Sequence, residues 1–203
     1  MSEFVSQDWG EAVLSDLASL ITKGTTPSSL GFEYQKSGIS FIKVESIDVS
    51  GKFLKKKFAY ISEAANKALA RSVILENDVL FSIAGALGRT AIATKEILPA
   101  NTNQALAIIR LRDGELIDKE YLYYYLNGPQ ITETIDRINV QSAQANLSLG
   151  DISSFEISYP IDLVEQQKIA KILSTVDNLI ENTQTLIEKY TAIKQGMMAD
   201  LFT

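Results

Sequence analysis

The chain has 203 residues, 19 Lys and Arg against 25 Asp and Glu, a net charge of −6 and 46% hydrophobic residues. That is too apolar for disorder and large enough for a packed core. The absence of both Cys and His removes disulfide frameworks, thiolate and imidazole metal sites, cysteine nucleophiles and every Ser-His-Asp triad. No run of about 18 apolar residues is present, so no membrane span is expected. The opening residues carry acids where a secretion signal needs a basic and then an apolar stretch, and a cytoplasmic location is expected.

Taken in chain order, residues 39–49 are rich in β-branched side chains and predict a strand. Ser62 before Glu63-Ala64-Ala65 predicts a capped short helix ending near residue 70. Residues 78–83 and 90–94 predict two strands around a turn at 84–89, and residues 104–111 a further strand. Asp118 predicts the cap of a helix stopped at Gly128-Pro129, with another short helix over 130–138. Residues 155–159 predict a last strand, because Pro160 lacks a donor and pushes Tyr159 into extended geometry. The mixture predicts an α+β fold with a mixed sheet over residues 1–160.

Residues 161–203 read differently. Positions a fall on Ile169, Val176, Thr183, Tyr190 and Met197, and positions d on Ile172, Leu179, Leu186, Ile193 and Asp200. Positions e on Leu173, Ile180, Ile187 and Leu201 widen the stripe beyond a two-stranded seam. A helix over residues 165–201 is about 55 Å long, more than a domain of this size covers. Its stripe is expected to meet another long helix on a partner chain. The alternative is a helix folded back on its own domain.

Few residues suit catalysis. Gly85-Ala86-Leu87-Gly88-Arg89-Thr90 lacks the first Gly and the Lys of a phosphate loop. It reads as a turn between strands, or as a backbone that approaches a DNA phosphate with Arg89 beside it. Glu76 and Asp78 read as part of a turn, and Asp118 as a cap, rather than as catalytic carboxylates. Amides and hydroxyls collect in residues 23–29, 101–104 and 139–148, where they suit base edges or ordinary loops. Between residues 36 and 112 lie 12 basic and 6 acidic residues, enough for one positive face on an acidic protein. Lys55-Lys56-Lys57 suits phosphates or solvent. Tyr121, Tyr123, Tyr124 and Tyr125 suit base stacking, or a core with surface hydroxyls.

Read in order, these pieces resemble the specificity subunits of type I restriction–modification systems. The resemblance is carried by Trp9, Leu14-Ser15-Asp16-Leu17, Gly24-Thr25-Thr26-Pro27, Phe41-Ile42-Lys43-Val44, Asp78-Val79-Leu80-Phe81-Ser82, and Asn103-Gln104-Ala105-Leu106. It continues through Asn146-Leu147-Ser148, Pro160, Glu165-Gln166-Gln167-Lys168-Ile169-Ala170, Lys194-Gln195-Gly196-Met197-Met198 and Leu201-Phe202. It implies a target recognition domain over 1–160 and a spacer helix over 161–203 that forms a coiled coil. Members usually hold two of each, so this chain is expected to be a half-length form. It would pair with a second copy and read a symmetric, bipartite DNA target. The family also implies no catalysis or cofactor of its own. S-adenosylmethionine and ATP would sit on partner modification (methyltransferase) and restriction (motor-nuclease) subunits, and DNA methylation would be theirs.

By residue type, the expected DNA contacts are Thr25, Lys43, Arg89, Asn101, Asn103, Gln104, Gln141 and Gln144. The expected dimer contacts are Ile169, Ile172, Val176, Leu179, Leu186, Tyr190, Ile193 and Met197. Two other readings stay open at this point. One is a coiled-coil adaptor that binds protein and not DNA. The other is a half that works only with a different half.

Overall fold

The computed structural model describes residues 8–112, 116–140 and 146–202. In chain order the elements are β1 (Trp9–Val13), α1 (Leu14–Leu17), β2 (Ala18–Lys23), β3 (Ile39–Ile42), β4 (Ala59–Ile61), α2 (Glu63–Ala68), β5 (Val73–Ile74), β6 (Val79–Ser82), β7 (Thr90–Ile92) and β8 (Ala100–Thr102). They continue with β9 (Leu106–Leu111), α3 (Lys119–Leu126), α4 (Pro129–Val140), α5 (Leu149–Ser153), β10 (Glu156–Pro160) and α6 (Leu163–Phe202).

A central sheet of order β2-β9-β6-β7 is antiparallel throughout. It is covered on both faces, which is why residues 78–83 and 104–111 read as near-continuous apolar runs. Val79, Phe81, Ala107 and Ile109 face a layer containing α1, α3, α4, α5 and β10. Leu80, Leu106 and Ile108 face the second sheet, of order β4-β3-β8-β5. Within that sheet β3 and β8 are parallel. Its outer side, at Phe41 and Ile61, is closed by Ala65 of α2 and by Leu69. A third ladder joins β1 to β10, Trp9 opposite Pro160.

The α+β expectation holds, with changes in detail. Ser62 caps α2, accepting from the Ala65 N–H at 3.1 Å. Asp118 caps α3, accepting from the Glu120 and Tyr121 N–H groups. The strand expected over 39–49 ends at Ile42. There the Ser46 hydroxyl accepts from the Lys43 N–H at 3.1 Å and donates to the Lys57 carbonyl at 3.2 Å. Side-chain bonding to the backbone turns the chain out of the ladder.

Asp78 ends its turn in a buried ion pair. It is 1% exposed and accepts from Arg110 Nε at 2.7 Å and Nη2 at 2.8 Å, and from the Leu75 N–H at 2.7 Å. The hydrogen bond to Asp78 raises the Arg110 pKa further above its ordinary value. Asp78→Ala leaves the guanidinium and the Leu75 N–H without this partner. We expect a loss of about 3 kcal/mol, at the lower end for a broken buried pair because Arg110 keeps some contact with water. Urea denaturation checks it, and a change under about 1 kcal/mol would show the pair to be dispensable.

Three of the four tyrosines of α3 join the layers. Tyr121 donates to the Ser158 carbonyl at 2.8 Å, Tyr123 to the Ser50 carbonyl at 2.9 Å, and Tyr124 to Asp177 Oδ2 at 2.8 Å. Burial pushes the Tyr121 hydroxyl up to about 12, with a smaller push from Tyr125. Burial also raises Tyr123 and Tyr124, with Asp177 the next cause in both. All three therefore stay protonated donors near neutrality. The core reading of this cluster is the one seen.

The last helix, α6, has 40 residues, about 60 Å of length. Its first turns are built into the domain. Gln166 is fully buried, donates to the Leu116 carbonyl at 2.9 Å and the Pro160 carbonyl at 2.8 Å, and accepts from the Asp118 N–H at 2.7 Å. Further along, Asp177 receives Tyr124 and Glu181 pairs with Lys52. Ala170 and Asp177 occupy position b and Glu181 position f. The domain thus lies against the polar side of α6, and the a/d/e stripe is turned away from it. Ile172, Val176, Leu179, Ile180, Leu186, Tyr190, Ile193 and Met197 are all exposed. Ile169 is different, because it packs against the domain's own core. Among the described residues no helix is long and apolar enough to cross a membrane.

Candidate nucleic-acid interface

Strand register brings the polar loops to one end of the two sheets. Lys23, the last residue of β2, lies opposite Ala107 near the start of β9. Ser82, the last of β6, lies opposite Leu106. Ile42, the last of β3, lies beside Thr102, the last of β8. The loops after β2, β3 and β6 and the β8–β9 link therefore emerge together. Asn146 joins them through its bridge to Ala84.

The loops are fixed to one another by backbone contacts. Gly24 donates its N–H to the Asn103 carbonyl at 3.1 Å. A Cβ on Gly24 would stand 1.8 Å from the Thr102 carbonyl oxygen, so only glycine permits this approach. Pro27 is buried and opens a short 3-10 turn to Leu30. In the loop after β6, Gly85 (φ 77°) and Gly88 (φ 78°) take left-handed conformations that glycine adopts at little cost. The Ser82 hydroxyl donates to the Ala86 carbonyl and accepts from the Arg89 N–H at 2.8 Å. The turn reading of this loop describes its geometry.

Five of the eight expected DNA contacts meet here with side chains at least partly accessible: Thr25, Lys43, Arg89, Asn103 and Gln104. Lys43 sits 3.4 Å from Glu45 Oε1 and 5.2 Å from the centre of the Tyr34 ring. Arg89 donates to the Ile47 carbonyl at 2.9 Å and the Val44 carbonyl at 3.4 Å. It braces the segment after β3 and stays partly accessible.

Asn101 requires correction. Its residue type and apparent loop position made it a reader, but it is fully buried in β8. Its Oδ1 accepts from the Ser72 hydroxyl at 2.7 Å and the Thr102 N–H at 2.8 Å. Its Nδ2 donates to Asn66 Oδ1 at 2.8 Å and the Leu69 carbonyl at 3.1 Å. Every polar group of the side chain is used inside the domain, so it supports the loops and does not read. Gln141 and Gln144 lie outside the described residues.

Sequence reasoning missed Arg71. It is exposed, follows α2, and reaches across to donate from Nη2 to Thr25 Oγ1 at 3.2 Å. Beside it Thr26 Oγ1 donates to Gln104 Oε1 at 2.7 Å. The basic excess between residues 36 and 112 contained Arg71, but only the tertiary fold sets it against Thr25. Lys55, by contrast, lies exposed in a turn and pairs with Glu96 at 3.2 Å.

A family model, the type I restriction modification DNA specificity domain, matches residues 6–191. The type I restriction enzyme MjaIX specificity subunit of Methanocaldococcus jannaschii is 29% identical over 199 residues, covering 98% of this chain and 44% of that protein. The EcoBI specificity subunit of Escherichia coli is 23% identical over 208 residues, covering 98% and 42%. Among solved structures, the HsdS subunit from Thermoanaerobacter tengcongensis matches with a TM-score of 0.67 at 17% identity, over 88% of this chain and 44% of that one. The type I restriction–modification S subunit from M. genitalium matches with a TM-score of 0.55 at 21% identity, over 93% and 44%. These structures speak to the fold alone. This chain spans less than half the length of the relatives named. A match that runs from ahead of β1 to deep within α6 leaves one conclusion: the chain belongs to the type I restriction–modification DNA specificity family.

Proposed function

We propose that this chain is a non-catalytic DNA-reading subunit that binds one half-site through the loop end of residues 1–160. It pairs with a second copy through residues 161–203. The observation that carries the proposal is the gathering of Thr25, Lys43, Arg71, Arg89, Asn103 and Gln104 at one end of the sheets. Cations there suit phosphates, and amides and guanidinium groups suit base edges. The outward apolar stripe of α6 supports the pairing. Two-fold symmetry then gives two inverted half-sites separated by unread base pairs. Modification and restriction subunits would assemble on the pair in the cytoplasm, bringing S-adenosylmethionine and ATP with them.

The test is methylome sequencing of cells that express the chain with its cognate modification subunit. We expect a new gapped, palindromic adenine-methylation motif. An asymmetric gapped motif would mean pairing with a different half. An assembled complex with no new motif and no salt-sensitive DNA affinity would replace the proposal with the protein-binding adaptor.

A further inference from the structure

The amides at the loop end are oriented, and their orientation has a consequence for what they bind. Asn and Gln read adenine when the amide oxygen accepts from N6 while the amide nitrogen donates to N7. Here the oxygens already have partners. Gln104 Oε1 accepts from the Thr26 hydroxyl at 2.7 Å. Asn103 Oδ1 accepts from the Ala105 N–H at 3.0 Å. The Nε2 of Gln104 and the Nδ2 of Asn103 have no hydrogen-bond partner among the described residues, so each is left as a donor. Thr25 Oγ1 takes one guanidinium donor from Arg71, and the other donors of this exposed side chain have no partner among the described residues. Consecutive threonines therefore each hold one donor-bearing side chain, Thr25 the guanidinium of Arg71 and Thr26 the amide of Gln104.

A surface of donors fits a surface of acceptors. Guanine presents two acceptors in the major groove, O6 and N7, with the spacing an arginine fork matches. Phosphate oxygens are the other acceptors of the duplex, but they carry no sequence information. Resting on the proposed DNA-reading role, we infer that Arg71 and Gln104, each held by its threonine, act as donors that read guanine in the half-site and disfavour adenine at the positions they meet. Thr25 and Thr26 are positioning residues in this arrangement.

The experiment is selection of duplexes from a random library by the full chain assembled with its modification subunit. The wild type is run beside Arg71→Ala, Gln104→Ala and Gln104→Glu. Arg71 and Gln104 are exposed, so these changes should leave folding intact, and circular dichroism checks that. We expect the selected half-site to contain a guanine whose preference falls on the order of 10- to 100-fold in Arg71→Ala, with other positions kept. Gln104→Glu, which offers only acceptors, should shift the preference toward a base that donates, cytosine or adenine. Equal weakening on all sequences, with a smaller salt slope, would assign the pair to phosphate and overturn the guanine reading. An unchanged motif in all three variants, or relaxation at an adenine, overturns it as well. If the wild type selects no sequence, the DNA-reading role itself falls, and a loss confined to the variants cannot be mistaken for that result.

Discussion

Val176→Glu and Leu186→Glu together are expected to turn a dimer into a monomer in sedimentation velocity, with the domain still folded. The two side chains are 48% and 49% exposed in the single chain and belong to none of the domain's core clusters. In a paired helix each would lie in the seam, at positions a and d. Fully burying a Val or Leu contributes about 1.5–3 kcal/mol, and each site occurs twice in a symmetric pair. Glutamate removes that gain and adds a carboxylate that would have to lose water. Several kcal/mol set against a dimer amounts to a factor of 1,000 or more in dissociation constant. A control at Ser174→Glu, on the side facing the domain, should leave the dimer intact. Persistence of the dimer in the double variant would place the interface elsewhere.

Gly24→Ala is expected to damage stability and DNA binding at once. The added carbon would lie 1.8 Å from the Thr102 carbonyl oxygen, 2.4 Å from its carbon and 2.8 Å from the Asn103 oxygen. All three are backbone atoms at the strand ends, so no side chain can swing aside. The exit of β2 must separate from the β8–β9 link and break the Gly24 N–H bond to Asn103. We expect a loss of about 3 kcal/mol, at the upper end for overpacking, measured by urea denaturation. The same movement carries Thr25 and Thr26 away from Arg71 and Gln104, so DNA affinity should fall even where the variant remains folded. A stable variant with normal affinity would mean that the loops tolerate separation, and that their mutual contact is not what arranges the surface.

Local signals in the sequence were sufficient where the structure is local. The heptads of α6, the caps at Ser62 and Asp118 and the runs that became β6 and β9 depend on neighbours a few residues away. The expectation failed where partners are distant. The β1 ladder is made with β10, from the other end of the domain, and nothing around Trp9 predicts that pairing. Asn101 looked like a loop amide because it stands among Asn, Thr and Gln. Its burial comes from Ser72, Asn66 and Leu69, residues that only the second sheet brings near. Arg71 was passed over for the matching reason. Its use depends on Thr25, which lies 46 residues away.

The support beneath the loop end also bears on how such a protein can change. Asn101 is held largely by main-chain groups and by Ser72 and Asn66. Thr102 Oγ1 donates to the Ile42 carbonyl, and the atoms nearest a side chain at Gly24 belong to the main chain. None of these bonds asks what side chain stands at 25, 43, 71 or 104. Substitutions at those at least partly accessible positions can therefore accumulate without loosening the mount that carries them. A lineage could acquire a new target by exchanging a handful of surface residues while its folding remained the same.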